Sequence, residues 1–390
     1  FKKNIKLLEK RFSFKFPKGL VEHFSGEKNK VSSFLINKKT FIIAKVNETK
    51  CSKNDLDIIL RKVCNIIKTE KKITSVNIIL TPIKEFIRYQ VLKVIHHNYF
   101  FIKYKDHDTT TKKITFCAVN KLKNIVLNSI KEAEIINDMR DMVNEPGNIM
   151  NSEYFLEYVK TFKETGLKLE IMKKSKLKKE KMNLILAVNS GSKNEPYLLT
   201  LKWMPLKNKK PIILLGKGVT FDSGGMNIKY GDFTDMKTDM TGAAAVFALL
   251  RFCALNKIKK NVIAVMPLVE NMINEKAHRP GDVIKSHSGK NVEITNTDAE
   301  GRLILADSLS YSNKLNPRCL IDVATLTGQA GSIFDRLSIV VLGNNKSLIK
   351  KYEECGEEMN EKVWELPLWN EFRKNLDSQI ADIQNSSKSS

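Results

Sequence analysis

Between Leu184 and Leu342 six short apolar runs alternate with stretches of helical periodicity, and few folds accept that pattern. The runs are Leu184–Val188, Tyr197–Lys202, Ile212–Leu215, Val262–Pro267, Cys319–Ala324 and Ile339–Leu342. They are of strand length, and several are apolar throughout, as strands buried on both faces are. Helical patterns separate several of them, notably Gly242–Leu255 and Leu303–Ser312. Strands alternating with helices predict an α/β fold with a mixed, mostly parallel sheet flanked by helices. Ligand sites of such sheets lie beyond the carboxyl ends of the strands.

Residues 1–125 read as a separate, small α/β domain. Phe41–Val46, Val76–Leu80, Phe100–Tyr104 and Ile114–Val119 are β-branched or aromatic runs, and Leu56, Ile59, Leu60, Val63, Ile66 and Ile67 recur at helical spacing. A helix over Val126–Met142, broken by Asn144-Glu145-Pro146-Gly147-Asn148, makes 126–150 the connecting segment. The larger domain, 151–390, opens on an amphipathic helix over Ser152–Phe162 capped by Ser152. The lysine-rich Lys173–Lys181 reads as a solvated face.

With 390 residues, 42% hydrophobic and 28% charged, the chain can build a sizeable core. No apolar run approaches the roughly 20 residues that span a bilayer, so no membrane role is read. The basic start, Phe1–Ile5, is followed by neither an apolar run nor a small-residue cleavage site, so no signal peptide is read. The net charge of +23 is uneven: residues 1–150 hold 30 Lys+Arg against 15 Asp+Glu, and 151–390 hold 36 against 28. A basic domain is a nucleic-acid signal, yet Lys, Asn and Ile are enriched along the whole chain and no helix-turn-helix or RNA-binding pattern accompanies the charge. The six cysteines are widely spaced without a C-x-x-C pair, and Cys64, Cys117, Cys253 and Cys319 stand in apolar sequence. They read as reduced core thiols of a cytoplasmic protein. With no H-x-x-x-H or H-E-x-x-H among the six histidines, any metal must be held mostly by oxygen.

Such oxygens gather at two places. Asn296-Thr297-Asp298-Ala299-Glu300-Gly301-Arg302-Leu303 sets two carboxylates and a guanidinium within five residues at a helix start. Alone it reads as well as a polar helix-capping turn as it does as a metal loop. Upstream, Ile212–Leu215 runs into Gly216-Lys217-Gly218, then Asp222-Ser223-Gly224-Gly225, Lys229 and Asp239 before the small-residue helix start at Thr241. The spacing fits neither a phosphate loop nor a dinucleotide fingerprint. Separately, Lys217 reads equally as a surface lysine, Asp222 as a turn former and Asp239 as a helix N-terminal charge. Jointly, three aspartates and a glutamate at strand-to-helix junctions of one sheet can converge at its carboxyl edge.

These segments, with Asn144-Glu145-Pro146, Asp239-Met240, Gly242-Ala243-Ala244, Arg279-Pro280-Gly281-Asp282 and Thr325-Leu326-Thr327-Gly328, resemble the M17 leucyl (cytosol) aminopeptidase family over about the last two-thirds of the chain. The resemblance implies a hydrolase that releases N-terminal residues, preferably leucine or other apolar ones, from peptides with a free N-terminus through a metal-bridging water. It implies two divalent ions, Zn or Mn, with Asp222 and Glu300 bridging, Asp298 serving one ion, and Lys217 with Asp239 the other. A ligating lysine must be neutral, so Lys217 is expected to have a depressed pKa. Lys229 and Arg302 match the family's catalytic positions, the latter holding a bicarbonate that moves the proton. Met236, Thr325, Leu326 and Gly328 would line the first side-chain pocket. A homohexamer is implied as well. His278 and Gln329 depart from the residues usual there, and the family pattern continues beyond Ser390, so the catalytic domain is expected to be C-terminally incomplete. A nucleic-acid-binding protein and an inactive pseudo-enzyme are the alternative readings.

Overall fold

A computed structural model describes residues 6, 31–36, 39–44, 52–70, 75–80, 84–106, 112–117, 120–162 and 166–387. Phe1–Ile5, Lys45–Val46, Ala118–Val119 and Cys51, which figure in the sequence reading, lie outside them. The chain divides into two compact units, Phe1–Asn137 with Tyr352–Lys362, and Asp138–Lys351 with Val363–Ser390.

In the first unit β1 (Val31–Ile36) and β2 (Lys39–Ala44) form an antiparallel pair, and β3 (Ser75–Ile79) and β4 (Lys113–Cys117) a parallel one. Helix α1 (Lys53–Thr69) starts at a capping box: the Ser52 hydroxyl accepts from the Asp55 amide, and the Asp55 carboxylate accepts from Ser52 N. Its Leu56, Leu60 and Cys64 pack with Tyr89 and Val94 of α2 (Lys84–His97). Phe100–Tyr104 forms a turn and not a strand. The run has strand composition, but its rings Phe101 and Tyr104 pack on each other, 6.0 Å between centroids. Helix α3 (Lys123–Asn144) continues across the boundary between the units, which falls at Asn137.

The second unit is built on a six-stranded mixed sheet. β5 (Leu167–Met172), β6 (Tyr197–Trp203), β7 (Ile212–Gly216), β9 (Val262–Asn271) and β12 (Cys319–Val323) lie in the order β12-β7-β9-β6-β5, and β8 (Gly218–Asp222) also pairs with β9. The pairs β12–β7, β7–β9 and β8–β9 are parallel; β9–β6 and β6–β5 are antiparallel. All ten residues of β9 are buried, as befits a strand covered on both faces. Side chains alternate between two cores. Ala264, Met266, Leu268 and Leu214 meet Phe247 and Leu250 of α7 (Thr241–Leu255) and Phe155 and Val159 of α4 (Ser152–Thr161). Ile263, Val265, Val269, Ile213 and Leu215 meet Leu303 and Ile304 of α8 (Gly301–Asn313), and Leu184, Ile185 and Val188 of α6 (Asn183–Val188). The result is three layers, helix, sheet and helix.

Two sequence expectations change here. Leu184–Val188 is a helix: five apolar residues carry no usable period, and the Asp307 carboxylate accepts from the amides of Leu184 and Ile185 at its start, 2.9 and 3.3 Å. The cap of α4 is Asn151, accepting from Tyr154 N, whereas the Ser152 hydroxyl donates to Glu195 O at 2.6 Å. In the lysine-rich stretch, α5 (Lys174–Lys179) buries only Leu177. Thr234–Leu255, where a 3-10 turn runs into α7, is long and apolar enough to cross a membrane by length and composition, and 67% of its 18-residue apolar window is buried inside the protein.

The remaining elements are smaller. β10 (Val283–Lys285), β11 (Asn291–Glu293) and β15 (Ile383–Gln384) make a three-stranded sheet in which β11 and β15 are parallel. β13 (Ser338–Val341) pairs with β14 (Lys362–Glu365), with the short helix α9 (Gln329–Ile333) before them and α10 (Lys346–Met359) between.

Candidate metal centre

The carboxyl ends of β7, β8 and β9 deliver the chemistry. Lys217 is the single residue between β7 and β8; its amide donates to Val323 O of β12 at 3.0 Å, and its carbonyl accepts from Ala243 N of α7 at 2.9 Å. The side chain is thereby fixed inside the protein, 2% exposed. Its Nζ lies 2.6 Å from Asp239 Oδ2, 2.7 Å from Asp239 Oδ1, 2.9 Å from Glu300 Oε1 and 3.1 Å from the Thr325 carbonyl. Glycine is required at 301 for this packing, since a Cβ there would stand 2.6 Å from Lys217 Cε. Asp239 follows the 3-10 turn Thr234–Thr238, and its Oδ1 also accepts from the Thr325 hydroxyl at 2.7 Å.

Asp222 ends β8. Its Oδ1 accepts from Gly224 N (2.9 Å) and from Asn271 Nδ2 (2.8 Å), while Oδ2 faces Lys229 Nζ at 2.9 Å. Lys229 also pairs with Asp298. Gly224 holds a left-handed backbone, φ 87°, that turns the chain under Asp298, whose Oδ1 would be 3.0 Å from a Cβ at that position. Asp222, Asp298 and Glu300 each present an oxygen within 4.8 Å of the others. Of this cluster Asp222, Asp239 and Glu300 are buried and Asp298 is half-buried.

The electrostatics follow from burial. Four carboxyl groups and two ammonium groups share the site, so that with all of them ionised it carries an excess of two negative charges. Burial raises the pKa of Glu300, Asp239 and Asp298, in each case partly opposed by a lysine. For Lys217, burial lowers the value, but the charges of Glu300 and Asp239 outweigh it and leave it above that of an ordinary lysine. The depression expected from the sequence needs cations beside it. Glu300 Oε2 is buried with no hydrogen-bond partner. An orphaned buried carboxyl oxygen in a pocket where acidic groups outnumber basic ones is the mark of a cation site.

The other expected residues fall differently. Arg302, half-buried, donates from Nη1 to the Asn385 carbonyl at 3.0 Å. Of the four pocket residues, Thr325 joins the cluster through its hydroxyl and carbonyl. Met236 sits in the 3-10 turn before Asp239, half-buried, while Leu326 and Gly328 are exposed. A cleft of about 570 Å³ is lined by Pro146, Gly147, Phe221, Phe233, Asp235 and Lys237, and none of the four expected pocket residues is among its lining.

Three asparagines that sequence reasoning passed over organise the site. Asn271 Nδ2 bridges Asp222 and the Thr297 carbonyl (3.0 Å), Asn227 exchanges hydrogen bonds with Thr297 (2.8 Å each way), and Asn385 holds the octapeptide from its other flank. For Asn271 a signal existed: β9 runs four residues past Pro267, where the apolar run was taken to end, and so carries Asn271 to the site.

Known proteins bear on this arrangement. Residues 137–390 match the catalytic domain of the cytosol aminopeptidase family. A probable cytosol aminopeptidase of Phytoplasma mali is 43% identical over 258 residues, 65% of this chain and 52% of that protein. A probable cytosol aminopeptidase of Brucella ovis is 39% identical over 309 residues, 76% of this chain and 62% of that protein. The chain thus spans about half the length of the first of these relatives. Since the match embraces both lysines, all four carboxylates and the sheet that aims them, this chain belongs to the cytosol aminopeptidase family.

Proposed function

We propose that this chain carries the metal-dependent hydrolytic site of an aminopeptidase that removes N-terminal residues, preferably leucine or other apolar ones, from peptides. The observation that carries the reading is the convergence of Asp222, Asp298 and Glu300 oxygens within 4.8 Å beside the Lys217–Asp239 pair, with Glu300 Oε2 left unpartnered. The donor set fits divalent cations: oxygen-rich, net negative and largely buried. Asp298, Asp222 and Glu300 would hold one ion, and Lys217, Asp239, Asp222 and Glu300 a second. Bound there, Zn or Mn would supply Lewis acidity toward the scissile carbonyl and acidify a water.

The chain's own groups do the rest. Asp239 and Glu300 keep Lys217 in place, and deprotonation of its amine on metal binding makes affinity rise with pH. For Lys229, burial opposes the charge, but Asp298 and Asp222 outweigh it and raise the pKa, so the group stays cationic and suits a developing oxyanion. Arg302, tethered at Asn385, would hold a bicarbonate that accepts and returns a proton. Met236, Thr325, Leu326 and Gly328 would receive the substrate's first side chain. A homohexamer and a cytoplasmic location belong to the same reading.

The test is hydrolysis of leucyl amide with Mn²⁺, Zn²⁺ or Co²⁺, on this chain and on a version extended to the length of its relatives. Metal-dependent release of leucine, abolished by Asp298→Ala, is expected; no activity from either version sinks the proposal.

A further inference from the structure

We infer that Asn385 is a positioning residue that sets the octapeptide backbone so that Asp298 and Glu300 face the cluster; the inference rests on the metal-site reading above. The placement begins with strand pairing. β15 runs parallel to β11, with Ile383 opposite Val292 and Gln384 opposite Glu293, and Asn385 N donates to Glu293 O at 3.0 Å. β11 leads directly into the octapeptide, so the register that aligns these strands also sets Asn385 against its first residues.

There its side chain, 4% exposed, touches backbone almost exclusively. Oδ1 accepts from Thr295 N (2.9 Å), the Thr295 hydroxyl (3.2 Å) and Asn296 N (3.2 Å). Nδ2 donates to Asn296 O (2.7 Å) and Ala299 O (3.3 Å). One carboxamide thereby ties the entry of the loop to its exit, with Asp298 between them and Glu300 next in sequence. Both donors and both acceptor directions of the amide are in use. The residue's own carbonyl accepts from Arg302 Nη1 at 3.0 Å, so the same residue orients the guanidinium. Asn271 and Asn227 bond Thr297 as well, so the loop is held at its middle and at both ends. An aspartate at 385 would keep the shape and turn an oxygen toward two carbonyls, a repulsion no side-chain rotation relieves.

A neighbouring bond separates positioning from mere support. Asp382 Oδ2 accepts from Asn291 N at 2.7 Å, tying the same segment to the same strand without reaching the octapeptide. The experiment measures hydrogen–deuterium exchange over residues 295–302 in the metal-free chain, Mn²⁺ affinity by calorimetry, and thermal stability. Asn385→Ala and the isosteric Asn385→Asp should speed exchange at Asn296–Ala299 and weaken Mn²⁺ binding about ten- to hundredfold, the usual cost of losing a group that orients ligands. Asp382→Ala should lower thermal stability while leaving both other readouts within about twofold. Unchanged Mn²⁺ affinity in folded Asn385→Asp, or an equal loss in Asp382→Ala, overturns the assignment. If the unsubstituted chain binds no Mn²⁺, the metal-site reading fails, and exchange decides alone: acceleration confined to the octapeptide keeps Asn385 as its anchor, and uniform acceleration removes it.

Discussion

Glu300 and Asp307 are buried carboxylates at the start and in the middle of one helix, 1% and 0% exposed, and the protein treats them oppositely. Asp307 is used on both oxygens: Oδ2 accepts from Leu184 N and Ile185 N at 2.9 and 3.3 Å, and Oδ1 from His287 N at 2.8 Å. It fills the amides that the start of α6 leaves open and pins the loop before β11. Glu300 has Lys217 on Oε1 at 2.9 Å, while Oε2 meets no donor. A buried carboxylate that the chain satisfies is a brace; one left half-satisfied in a net-negative pocket is held ready for a partner from outside.

The largest effect should come from the unsatisfied member. Glu300→Gln keeps the volume and removes one charge from the cluster, so Mn²⁺-dependent leucyl-amide turnover should fall by at least about 10³-fold, the scale of losing one preorganised electrostatic group. Its melting temperature should not drop, because a buried charge with an unpartnered oxygen contributes little to the fold. A clear loss of stability with turnover intact would make Glu300 a second brace. Asp307→Ala should do the reverse. Two buried amides and one part-buried amide lose their acceptor, at about 1–3 kcal/mol for an unsatisfied group, so urea unfolding should show a loss of roughly 3–5 kcal/mol. Mn²⁺ affinity of the folded variant should stay within about twofold.

The two carboxylates also differ in how far the sequence betrays them. Glu300 stands out because Asp298 and Arg302 crowd it and because Asp222 and Asp239 stand upstream, between an apolar strand run and a helix start. Continuous apolar runs made β6, β7, β9 and β12 legible for the same local reason. Asp307 sits unremarked inside a helical pattern, and its partners lie 123 and 20 residues away. Asn385 is 89 residues from Asn296. Such ties have no local period or composition, so only the fold shows them. Two misreadings were also nonlocal in origin. Leu184–Val188 became a helix through the Asp307 carboxylate. Gly218–Asp222, placed in a strand-to-helix junction with Asp222 as a turn former, is β8, held through its pairing with β9.

Titration sharpens the contrast further. Burial lifts the Asp307 carboxyl to about 6, against the pull of its three amides. A carboxyl that binds its proton more tightly when folded stabilises the fold below its unfolded value near 4, and that contribution fades as pH rises through about 6. Wild type should therefore gain about 2–3 kcal/mol over Asp307→Asn between pH 6.5 and pH 4, read from urea midpoints. A gap that stays constant across that range would mean that the amides cancel the effect of burial, and one that shrinks toward pH 4 that they outweigh it.

The smallest expected effect tests which part of His287 the brace uses. The backbone amide of His287 reaches Asp307, while its ring is held separately: Nδ1 lies 2.7 Å from the Ser310 hydroxyl and Nε2 2.9 Å from Lys314 Nζ. Ser310→Ala removes the ring's anchor and leaves the amide in place. Because one part-buried hydrogen bond is lost and no buried acceptor is stranded, the cost should be no more than about 1 kcal/mol. The pH-dependent gap between wild type and Asp307→Asn should survive in the Ser310→Ala background. If Ser310→Ala instead cost as much as Asp307→Ala, the ring would be holding the loop that delivers the amide, and the brace would extend from one carboxylate to the whole His287–Ser310 contact.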